Sequence, residues 1–523
     1  MGPAHQDKTY LNNDGRGPSY KQIQTMNKIQ HIINGQATSG ISTKTQAVYN
    51  PATGKQTADL TLGGLEEINL AVENSKTAFQ SWSTTAPAKR AKVMFNMRQL
   101  LIDNADLVAE TISKEHGKTH DDALGEVTRA LEVVEYACNI TENLKGDFNS
   151  DVGPGIDTHS NRQALGVVAG ITPFNFPSMV PLWMIPMALA CGNTFILKPS
   201  ERDPSSANLI HDLFAKAGLP AGVLNVVHGG KDAVDAILDH KDIQAVSFVG
   251  STPIAEYVYT RGCASGKRVQ ALGGAKNHMI IMPDADIDQA ADALMGAGFG
   301  SAGERCMAIS MAVPVGKETA DKLIEKLVPM INNMKVGPYT QKGMEMGPVI
   351  TKDAQTRIES LITQGESEGA EVVVDGRNFK IEGHEEGYWV GATLLDHVTS
   401  DMSVYKQEIF GPVLSVLRAE TYQQAVDLIN AHEYGNGTAI FTRDGDAARD
   451  FATKIQVGMV GINVPIPVPV AYHSFGGWKR SIFGAHGIYG PEAVHFYTKL
   501  KTITSRWPTG IRKGAQFNFP TLD

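Results

Sequence analysis

Cys306 ends a stretch whose residue types could support nucleophilic chemistry. The stretch reads Gly298-Phe-Gly-Ser-Ala-Gly-Glu-Arg-Cys306, and a helix-like apolar segment, 290–297, precedes it. Glycines let a backbone approach a ligand closely, and an adjacent arginine favours the thiolate, which is the nucleophilic form of cysteine. The stretch predicts a loop that presents Cys306. A buried, inert cysteine beside a surface ion pair is the alternative.

Three glycines of this stretch also spell GxGxxG, the pattern of a dinucleotide fingerprint. That fingerprint requires a strand before it, a helix after it and an acidic residue roughly 20 positions further on. Here a helical segment comes before the glycines, and an apolar run of strand type, 308–315, comes after them. We therefore assign these glycines to the cysteine loop and not to a nucleotide.

Composition and charge limit the possible classes of function. The chain has 523 residues, enough for two to four domains at roughly 100–200 residues each. Its net charge of −9 argues against nucleic-acid binding, which needs a basic face. The four cysteines (138, 191, 263 and 306) are far apart, which disfavours a metal site or a disulfide framework. A reducing compartment is favoured, the cytoplasm first and the mitochondrion as the alternative.

Two segments bear on targeting and membranes. Residues 1–30 are polar and lack the apolar core of a signal peptide, so they are read as a disordered arm or a remnant of expression. Residues 164–197 carry no charge, but four prolines interrupt them. Unsatisfied backbone is costly in lipid. This segment therefore predicts a buried strand, loop and helix rather than a membrane span, and we expect no membrane partner.

Strands and helices alternate between residues 165 and 272, which predicts a mostly parallel sheet with helices on both faces. The predicted strands are 165–171, 194–198, 223–227, 245–249 and 268–272, and the predicted helices are 178–190, 205–217, 232–238 and 254–260. Ligands of such sheets bind at the carboxyl ends of the strands. Those ends carry residues 172–176, 198–202 and 250–251.

The flanking regions supply further elements. Helical periodicity covers 65–85 and 87–144, and the Pro-rich segment 463–470 is read as extended. A second alternation predicts strands at 279–282, 311–315, 371–374, 438–441 and 457–463, and helices at 287–297, 320–331, 422–431 and 447–455. Alternating apolar residues in 493–504 predict a late strand on an exposed edge that serves assembly.

Five motifs occur in the order and spacing of one enzyme superfamily. They are Pro173-Phe-Asn-Phe-Pro177, Leu197-Lys-Pro-Ser200, Ser247-Phe-Val-Gly-Ser251, Gly303-Glu-Arg-Cys306 and Gln407-Glu-Ile-Phe-Gly-Pro-Val413. From about residue 32 to residue 504 the chain resembles the aldehyde dehydrogenases. Gly274-Ala-Lys-Asn-His278 and the stretch around Cys306 are most similar to the CoA-acylating methylmalonate-semialdehyde dehydrogenase branch.

The resemblance implies an aldehyde dehydrogenase-like α/β fold with three parts. A Rossmann-like NAD-binding domain would span 31–149 and 165–273, and an α/β catalytic domain would span 274–470. Segments 150–164 and 471–523 would form a small bridging and oligomerisation element of β structure. Residues 1–30 would form an N-terminal arm. The family's usual assembly implies a homotetramer.

The resemblance also implies roles for individual residues. Cys306 would attack the aldehyde to give a thiohemiacetal, which needs a thiolate and hence a lowered pKa. The Asn175 amide and the backbone N–H of Cys306 would stabilise the oxyanion. After hydride transfer to NAD, a thioester would remain on Cys306. The residues implied to contact NAD are Thr172, Phe174, Lys198, Glu201, Arg202, Ser251 and Glu408.

Ala271 stands where hydrolytic members of the superfamily carry a water-activating glutamate. Alanine cannot activate water, which fits transfer of the acyl group to coenzyme A. Arg129 and Arg305 match family positions linked to substrate binding. Arg129 would bind a carboxylate of the substrate, and the alternative role of Arg305 is to order the cysteine loop. The implied reaction converts methylmalonate semialdehyde to propionyl-CoA and malonate semialdehyde to acetyl-CoA, with loss of CO2.

Three alternatives remain open at this point. One is a hydrolytic NAD-dependent aldehyde dehydrogenase that uses another base. Another is a scaffold that has kept the fold and lost the chemistry. The third is a thiol hydrolase, for which no histidine motif was found. The sequence leaves open the pathway, the CoA-binding residues and the role of His473.

Overall fold

A computed structural model describes residues 27–508 of the chain. The helices are α1 Leu65–Trp82, α2 Pro87–Asp103, α3 Ala105–His116, α4 His120–Cys138, α5 Ile140–Asn143, α6 Met179–Ala190, α7 Ser205–Lys216, α8 Lys231–Asp239, α9 Thr252–Ala264, α10 Ile287–Phe299, α11 Lys317–Asn332, α12 Lys352–Ser367, α13 Ser403–Lys406, α14 Tyr422–Ala431, α15 Gly445–Lys454 and α16 Pro491–Tyr497. A 3-10 turn, Gly300–Gly303, follows α10.

The strands form five separate sheets. They are β1 Asn27–Ile29, β2 His31–Ile33, β3 Gln36–Thr38, β4 Thr45–Asn50, β5 Lys55–Thr61, β6 Phe148–Gly153, β7 Ile156–Ala164, β8 Val167–Ile171, β9 Thr194–Lys198, β10 Leu224–Val226, β11 Ile243–Val249, β12 Arg268–Leu272, β13 Asn277–Ile281, β14 Ile309–Pro314, β15 Glu371–Val374, β16 Thr393–Asp396, β17 Val413–Val416, β18 Tyr434–Gly435, β19 Gly437–Phe441, β20 Met459–Ile462, β21 Trp478–Lys479, β22 Ile482–Phe483 and β23 Thr498–Arg506.

The first large sheet confirms the predicted parallel arrangement. Its order is β22-β12-β11-β8-β9-β10-β2-β3, and the five strands from β12 to β10 are parallel. Strands β8 and β9 are buried along their whole length because helices cover both faces of the sheet. The chain leaves β8 toward β9 on one side and later returns to β11 on the other. The carboxyl ends of β8 and β11 therefore meet at a topological switch point, where such sheets bind ligands.

The second large sheet carries the loops that concern chemistry. Its order is β15-β16-β17-β14-β13-β19-β20, with every neighbouring pair parallel except β15 and β16. The Cys306 loop lies between α10 and β14, and the Glu408 loop lies between α13 and β17. These two loops lead into β14 and β17. Because the two strands pair directly, the loops reach the sheet side by side. The sequence did not predict β16 and β17, which are only four residues long.

The uncharged segment 164–197 is a strand, a loop and a helix inside the core, as predicted. It comprises the end of β7, then β8, α6 and β9, and α6 is buried on every face. Within residues 27–508, no helix is long and apolar enough to cross a membrane. Helix α6 packs against α4, whose apolar residues Ala123, Val127, Ala130 and Val134 are buried at helical spacing.

A third sheet lies at the surface, with the order β23-β7-β6. The predicted strand 493–504 is wrong in its first half, because Pro491 starts helix α16 and the strand begins only at Thr498. Proline suits the first turn of a helix, and Ala493, Val494 and Phe496 are all buried in that helix. Residues 1–26 of the expected N-terminal arm lie outside the described residues, and Asn27–Ile29 pairs with β5.

Candidate active site

The backbone before Cys306 adopts an uncommon left-handed conformation. Ser301, Ala302 and Gly303 have φ values of 55°, 51° and 70°. Such values cost energy at non-glycine residues and tend to occur at functional sites. A side chain at Gly303 would bring a Cβ within 2.0 Å of the carbonyl oxygen of Gly411. The Cys306 loop therefore touches the loop that follows Glu408, backbone against backbone.

Hydrogen bonds from two asparagines fix the position of Cys306. Its carbonyl oxygen accepts from Nδ2 of Asn277 at 2.9 Å and from Nδ2 of Asn436 at 3.0 Å. Its partly exposed side chain lines a narrow pocket together with Arg305 and Glu408. Of the described residues that line this pocket, only Glu408 carries a carboxylate. The pocket thus combines one thiol, one carboxyl group and one guanidinium.

The expectation of a lowered pKa for Cys306 is wrong. Burial of the thiol and the negative charge of Glu408 raise the pKa of Cys306 to about 12. The N–H groups of Cys306 and Met307 and the charge of Arg305 act in the opposite direction, but they are outweighed. Desolvation disfavours the charged form of any ionisable group. The arginine that precedes Cys306 in the sequence gives no indication that the thiol is buried. Cys306 is a neutral thiol.

A buried lysine fixes the backbone next to Glu408. Oε1 of Glu408 accepts from the N–H of Ala275 at 3.0 Å, and burial raises the pKa of this carboxyl group to about 7. Nζ of the neighbouring Lys276 donates to the carbonyls of Val404 at 2.6 Å and Gln407 at 2.9 Å. Burial also lowers the pKa of Lys276 to about 7. Glu408 therefore changes protonation state near neutral pH.

Ala271 lies fully buried in β12. Its neighbour Gln270 is occupied elsewhere, because its amide accepts from Oγ of Ser247 at 2.8 Å and donates to the carbonyl of Gly487 at 2.9 Å. Position 271 itself therefore offers no carboxylate to activate a water molecule. Such a task would fall to another group, and Glu408 is the carboxyl group that shares the pocket of Cys306.

Asn175 lies in the loop between β8 and α6 and is 4% exposed. Its backbone carbonyl accepts from Nζ of the buried Lys118 at 2.7 Å. Phe174, which precedes Asn175, stacks on His116. Its ring also contacts that of Phe410 edge to face, with 5.8 Å between the ring centroids. Because Phe410 follows Glu408 closely, this ring contact connects the Asn175 loop to the Glu408 loop.

Six of the seven residues implied to contact NAD lie at or just after the carboxyl ends of β8, β9 and β11 in the first sheet, and the seventh, Glu408, lies in the loop before β17 of the second sheet. The N–H of Thr172 donates to the carbonyl of Lys198 at 3.1 Å, and Lys198 Nζ lies 3.1 Å from Glu201 Oε2. Burial alone would raise the pKa of Glu201, but Lys198 and other donors outweigh it and lower the pKa. An anionic Glu201 can accept from ribose hydroxyls and would repel a 2′-phosphate. Arg202 stacks on Phe174, 5.2 Å from the ring centroid.

Two observations fit a nucleotide at this edge. The hydroxyl of Thr172 is buried without a hydrogen-bond partner among the described residues. Ser251 is exposed at the N-terminus of α9, where N–H groups can receive a phosphate. The next residue, Thr252, accepts from the N–H of Gly274 at 2.8 Å. A Cβ at Gly274 would come within 2.3 Å of Glu408 Oε2, which brings the start of α9 close to Glu408.

The two arginines proposed for substrate use are bound to different acids of helix α4. Arg305 forms an ion pair with Asp122 and donates to the carbonyl of Gly296 at 3.4 Å. Arg129 donates to Glu132 at 2.8 Å and to the carbonyl of Pro469 at 2.8 Å. Arg305 is therefore anchored as part of the cysteine loop, in line with the expectation that it orders this loop.

Tyr489 lies beside Arg129. Its hydroxyl donates to the carbonyl of Pro469 at 2.8 Å, the same carbonyl that Arg129 binds. Burial raises the pKa of Tyr489, and the charge of Arg129 acts in the opposite direction. Trp183 and Phe475 enclose its ring at centroid distances of 5.3 and 6.0 Å. An aromatic cluster thus lies beside the Arg129 guanidinium, which shares the Pro469 carbonyl with Tyr489.

Sequence reasoning missed several residues that build this site. They are His116, Lys118, Asp122, Glu126, Lys276, Glu304 and Tyr489. One signal was available, because Glu126 lies among the apolar positions of α4, between Ala123 and Ala130. A charged residue on a buried helix face needs a partner. The partner, Lys118, lies in the loop before the helix, where no periodicity marks it.

Comparisons with known proteins agree with this geometry. The model of the aldehyde dehydrogenase family matches residues 38–503. A malonate-semialdehyde dehydrogenase of Pseudomonas aeruginosa is 56% identical over 498 residues, covering 95% of this chain and 100% of that protein.

Two solved structures are similarly close. The methylmalonate-semialdehyde dehydrogenase of Oceanimonas doudoroffii has a TM-score of 0.92 at 57% identity, covering 93% of this chain and 100% of its own. A provisionally assigned methylmalonate-semialdehyde dehydrogenase of Sinorhizobium meliloti 1021, in complex with NAD, has a TM-score of 0.92 at 58% identity, covering 93% and 99%. This chain belongs to the aldehyde dehydrogenase family.

Proposed function

We propose that this protein oxidises malonate semialdehyde and methylmalonate semialdehyde with NAD, and transfers the decarboxylated acyl group to coenzyme A. One observation carries the choice of acceptor: a fully buried alanine stands at position 271, so that position supplies no carboxylate to activate water. The names of the P. aeruginosa and O. doudoroffii relatives support the substrate class, and the NAD complex of the S. meliloti structure supports the cofactor.

The first steps use Cys306 and Asn175. The Cys306 thiol gives its proton to solvent as the sulfur attacks the aldehyde carbon. A carbon–sulfur bond forms, the carbonyl π bond breaks, and the carbonyl oxygen becomes an oxyanion. The Asn175 amide and the N–H of Cys306 donate to this oxyanion; one such donor is typically worth about 3–4 kcal/mol. Lys198, Glu201 and Glu408 would hold NAD, which would accept the hydride from the carbon of the thiohemiacetal. A thioester then remains on Cys306.

The later steps follow from the carboxylate of the substrate. Arg129 pairs with the substrate carboxylate and directs it away from Glu408. The carboxylates of the substrate and of Glu408 would otherwise repel each other. The carbon–carbon bond to this group breaks, CO2 leaves, and the electron pair delocalises onto the thioester carbonyl before a proton from solvent takes its place. The CoA thiolate then attacks the thioester, and the Cys306 thiolate leaves.

A hydrolytic reaction is the second candidate, and one observation favours it. Glu408 has a pKa of about 7 and lines the pocket of Cys306. A carboxylate with such a pKa is suited to act as a general base for water near neutral pH. The two candidates differ in the acceptor of the acyl group and not in the oxidation step.

One assay separates the candidates. NADH formation is measured with malonate semialdehyde, its methyl derivative and propanal, with NAD or NADP, and with or without CoA. We expect sustained turnover only with CoA, acetyl-CoA and propionyl-CoA as products, and a preference for NAD. Sustained turnover without CoA, with a free acid as product, would establish hydrolysis instead.

The same assay tests the role of Arg129. A charge-assisted hydrogen bond contributes about 1.5–3 kcal/mol, so Arg129→Leu should lower kcat/KM for the semialdehydes by roughly 10- to 100-fold. Propanal carries no carboxylate and should be oxidised as before. Equal effects on both substrates, or none, would remove Arg129 from carboxylate recognition.

The domain boundaries and the assembly are also proposals. We infer an NAD-binding domain over 31–149 and 165–273, a catalytic domain over 274–470, and bridging and oligomerisation segments over 150–164 and 471–523. The exposed sheet of β6, β7 and β23 supports a role in joining subunits into a homotetramer. Limited proteolysis and the mass of the particle in solution test both points.

A further inference from the structure

A fully buried ion pair lies beneath the Asn175 loop. Nζ of Lys118 is 2.8 Å from Oε2 of Glu126, and both side chains are 0% exposed. Lys118 comes from the loop between α3 and α4, and Glu126 from the second turn of α4. Removing charges from water is costly, and replacing a buried pair by apolar residues is often neutral or stabilising. Stability alone therefore gives a weak reason for this pair.

Every polar contact of the pair reaches the segment 175–179. Besides Glu126, Lys118 Nζ donates to the backbone carbonyl of Asn175 at 2.7 Å. It also lies 4.3 Å from the centroid of the Phe176 ring. Oε1 of Glu126 accepts from the N–H groups of Ser178 at 2.8 Å and Met179 at 3.0 Å. The pair thus fixes a carbonyl at one end of the segment and two N–H groups at the other.

We propose that Lys118 and Glu126 are positioning residues that hold the Asn175 amide in place for the oxyanion. This inference rests on the proposed function, in which Asn175 donates to that oxyanion. The loop between β8 and α6 contains two prolines, Pro173 and Pro177, which have no N–H to donate, so its backbone depends on partners from other parts of the chain. Lys118 and Glu126 supply them from outside the loop, and neither touches the substrate.

Helix α4 extends the same principle to the other site loops. Asp122, Glu126 and Arg129 lie at spacings of four and three residues, which places them on one face of the helix. Asp122 binds Arg305 of the cysteine loop, and Arg129 binds the carbonyl of Pro469 in the Pro-rich segment. One rigid helix face therefore aligns three loops, and Glu126 serves the loop of the oxyanion donor.

The test removes the pair without leaving a lone buried charge. In the double variant Lys118→Met with Glu126→Gln, the glutamine oxygen can still accept from Ser178 and Met179. The measurement is the rate of the first NADH turnover with malonate semialdehyde, together with the dissociation constant of NAD. A misplacement of about 1 Å can cost about 100-fold in rate. We expect a fall of 10- to 100-fold in that first turnover with unchanged NAD binding, and a smaller fall for Glu126→Asp, which keeps the charge.

The same changes in an Asn175→Ala background decide whether the pair acts through Asn175. Asn175→Ala should itself slow the first turnover by about 100-fold or more, and adding the double variant should slow it no further. If Asn175→Ala leaves the rate unchanged, the proposed role of Asn175 fails. If Asn175→Ala is slow but the double variant keeps the normal rate, or slows both backgrounds equally, only the positioning role fails.

Lys267→Met provides a matched control. Lys267 is also buried, and its Nζ donates to the carbonyls of His240 and Ile243. It precedes β12, at the amino end of the parallel strands and opposite the site. We expect a lower melting temperature for this variant with an unchanged first turnover. A loss of turnover equal to that of the double variant would show that any buried lysine has this effect.

Discussion

At the residue scale, burial and, after it, the charge of Glu408 raise the pKa of the Cys306 thiol. Glu408 raises the pKa of the thiol, and its own pKa is about 7. The carboxyl group is therefore neutral below pH 7 and exerts its effect on the thiol only above pH 7. Each unit of pKa changes the thiolate fraction about tenfold when the thiol is mostly protonated.

Glu408→Gln should therefore make Cys306 react faster with iodoacetamide above pH 7. Up to about a tenfold increase is expected for one unit of pKa, and the two proteins should converge below pH 7. The measurement is the modification rate of the Cys306 peptide by mass spectrometry between pH 6 and 9. Glu304→Gln is the control at pH 7. Burial raises the pKa of Glu304 to about 8, so this carboxyl group is mostly neutral at pH 7 and its replacement should leave the modification rate unchanged. An equal or slower rate for Glu408→Gln would contradict the electrostatic coupling.

Glu304, two residues before Cys306, links stability to pH. Its Oε1 accepts from the N–H of Ile350 at 3.3 Å, while its Oε2 is buried without a hydrogen-bond partner among the described residues. His116 Nε2 lies 4.0 Å away, and burial holds the pKa of His116 well below its usual value. Because the histidine stays neutral, and the charges of Arg202, Lys118 and Arg357 offset only part of the effect of burial, ionised Glu304 would be a costly buried carboxylate.

Glu304→Gln should therefore stabilise the protein at alkaline pH. The folded pKa of about 8 exceeds the ordinary value of 4.5, so the fold binds this proton more tightly. The corresponding stability is present below pH 4.5 and is lost as pH rises to about 8, at no more than about 1.4 kcal/mol per pH unit. The melting temperature of the variant minus that of the wild type should rise between pH 5 and 8 and then level off. The exposed Glu382→Gln should give a flat difference, and a flat difference for Glu304→Gln would refute the linkage.

At the element scale, contact between two strained loops brings Cys306 and Glu408 together. Gly303 has φ 70°, and its Cβ would lie 2.0 Å from the carbonyl oxygen of Gly411. Phe410, on the other loop, has φ 52°. The unusual backbone conformations of both loops cost free energy. The paired strands β14 and β17, which follow the two loops, hold the loops side by side.

Gly303→Ala should separate the two loops and disable the site. The left-handed conformation costs alanine about 1–2 kcal/mol, and the clash with backbone cannot be relieved by a side-chain rotation. We expect a lower melting temperature and at least a tenfold loss of kcat. Gly296→Ala is a matched control in α10, because a Cβ there meets open space and alanine favours a helix by up to about 1 kcal/mol. Normal activity of Gly303→Ala would show that the contact between the loops is not required.

Periodicity in the sequence predicted the elements that bury a regular apolar face. The parallel strands β8, β9 and β12 and the helices α7 and α14 agree closely with expectation, because continuous apolar runs and caps mark them. Region 493–504 failed because its apolar residues fit both period 2 and one turn of helix, and Pro491 decided for the helix. Short strands such as β16 and β17 take their conformation from neighbouring strands rather than from their own composition.

The candidate site was predictable in its parts but not in its electrostatics. Motif order indicated Cys306, Asn175 and Glu408, since these residues lie in recognisable loops. The raised pKa of the thiol was not predictable, because burial and the approach of Glu408 come from tertiary packing. The ion pair of Lys118 and Glu126 supports a loop about 50 residues further along the chain, and no local pattern indicates such a partner.

At the scale of the whole molecule, the surface sheet presents an open edge. Strand β23 pairs along its full length with β7 on one side, while its other side has no strand among residues 27–508. Its side chains are mostly exposed, and Leu500 is 56% exposed between Lys499 and Lys501. Long exposed edges invite pairing with another chain. A homotetramer would cover this edge with a second copy.

Leu500→Lys should therefore weaken the assembly while leaving each subunit folded. Three adjacent lysines on the edge would repel a partner strand and would have to be desolvated in an interface. The measurement is the mass of the particle by light scattering between about 1 and 50 µM subunit, where dissociation constants in the micromolar range are detected. Circular dichroism checks that the subunits remain folded. Leu65→Lys, at an equally exposed leucine (58%) at the start of α1, is the control and should keep the wild-type mass. If Leu500→Lys keeps that mass at every concentration, the edge of β23 lies outside the interface, and the subunits must associate through another surface.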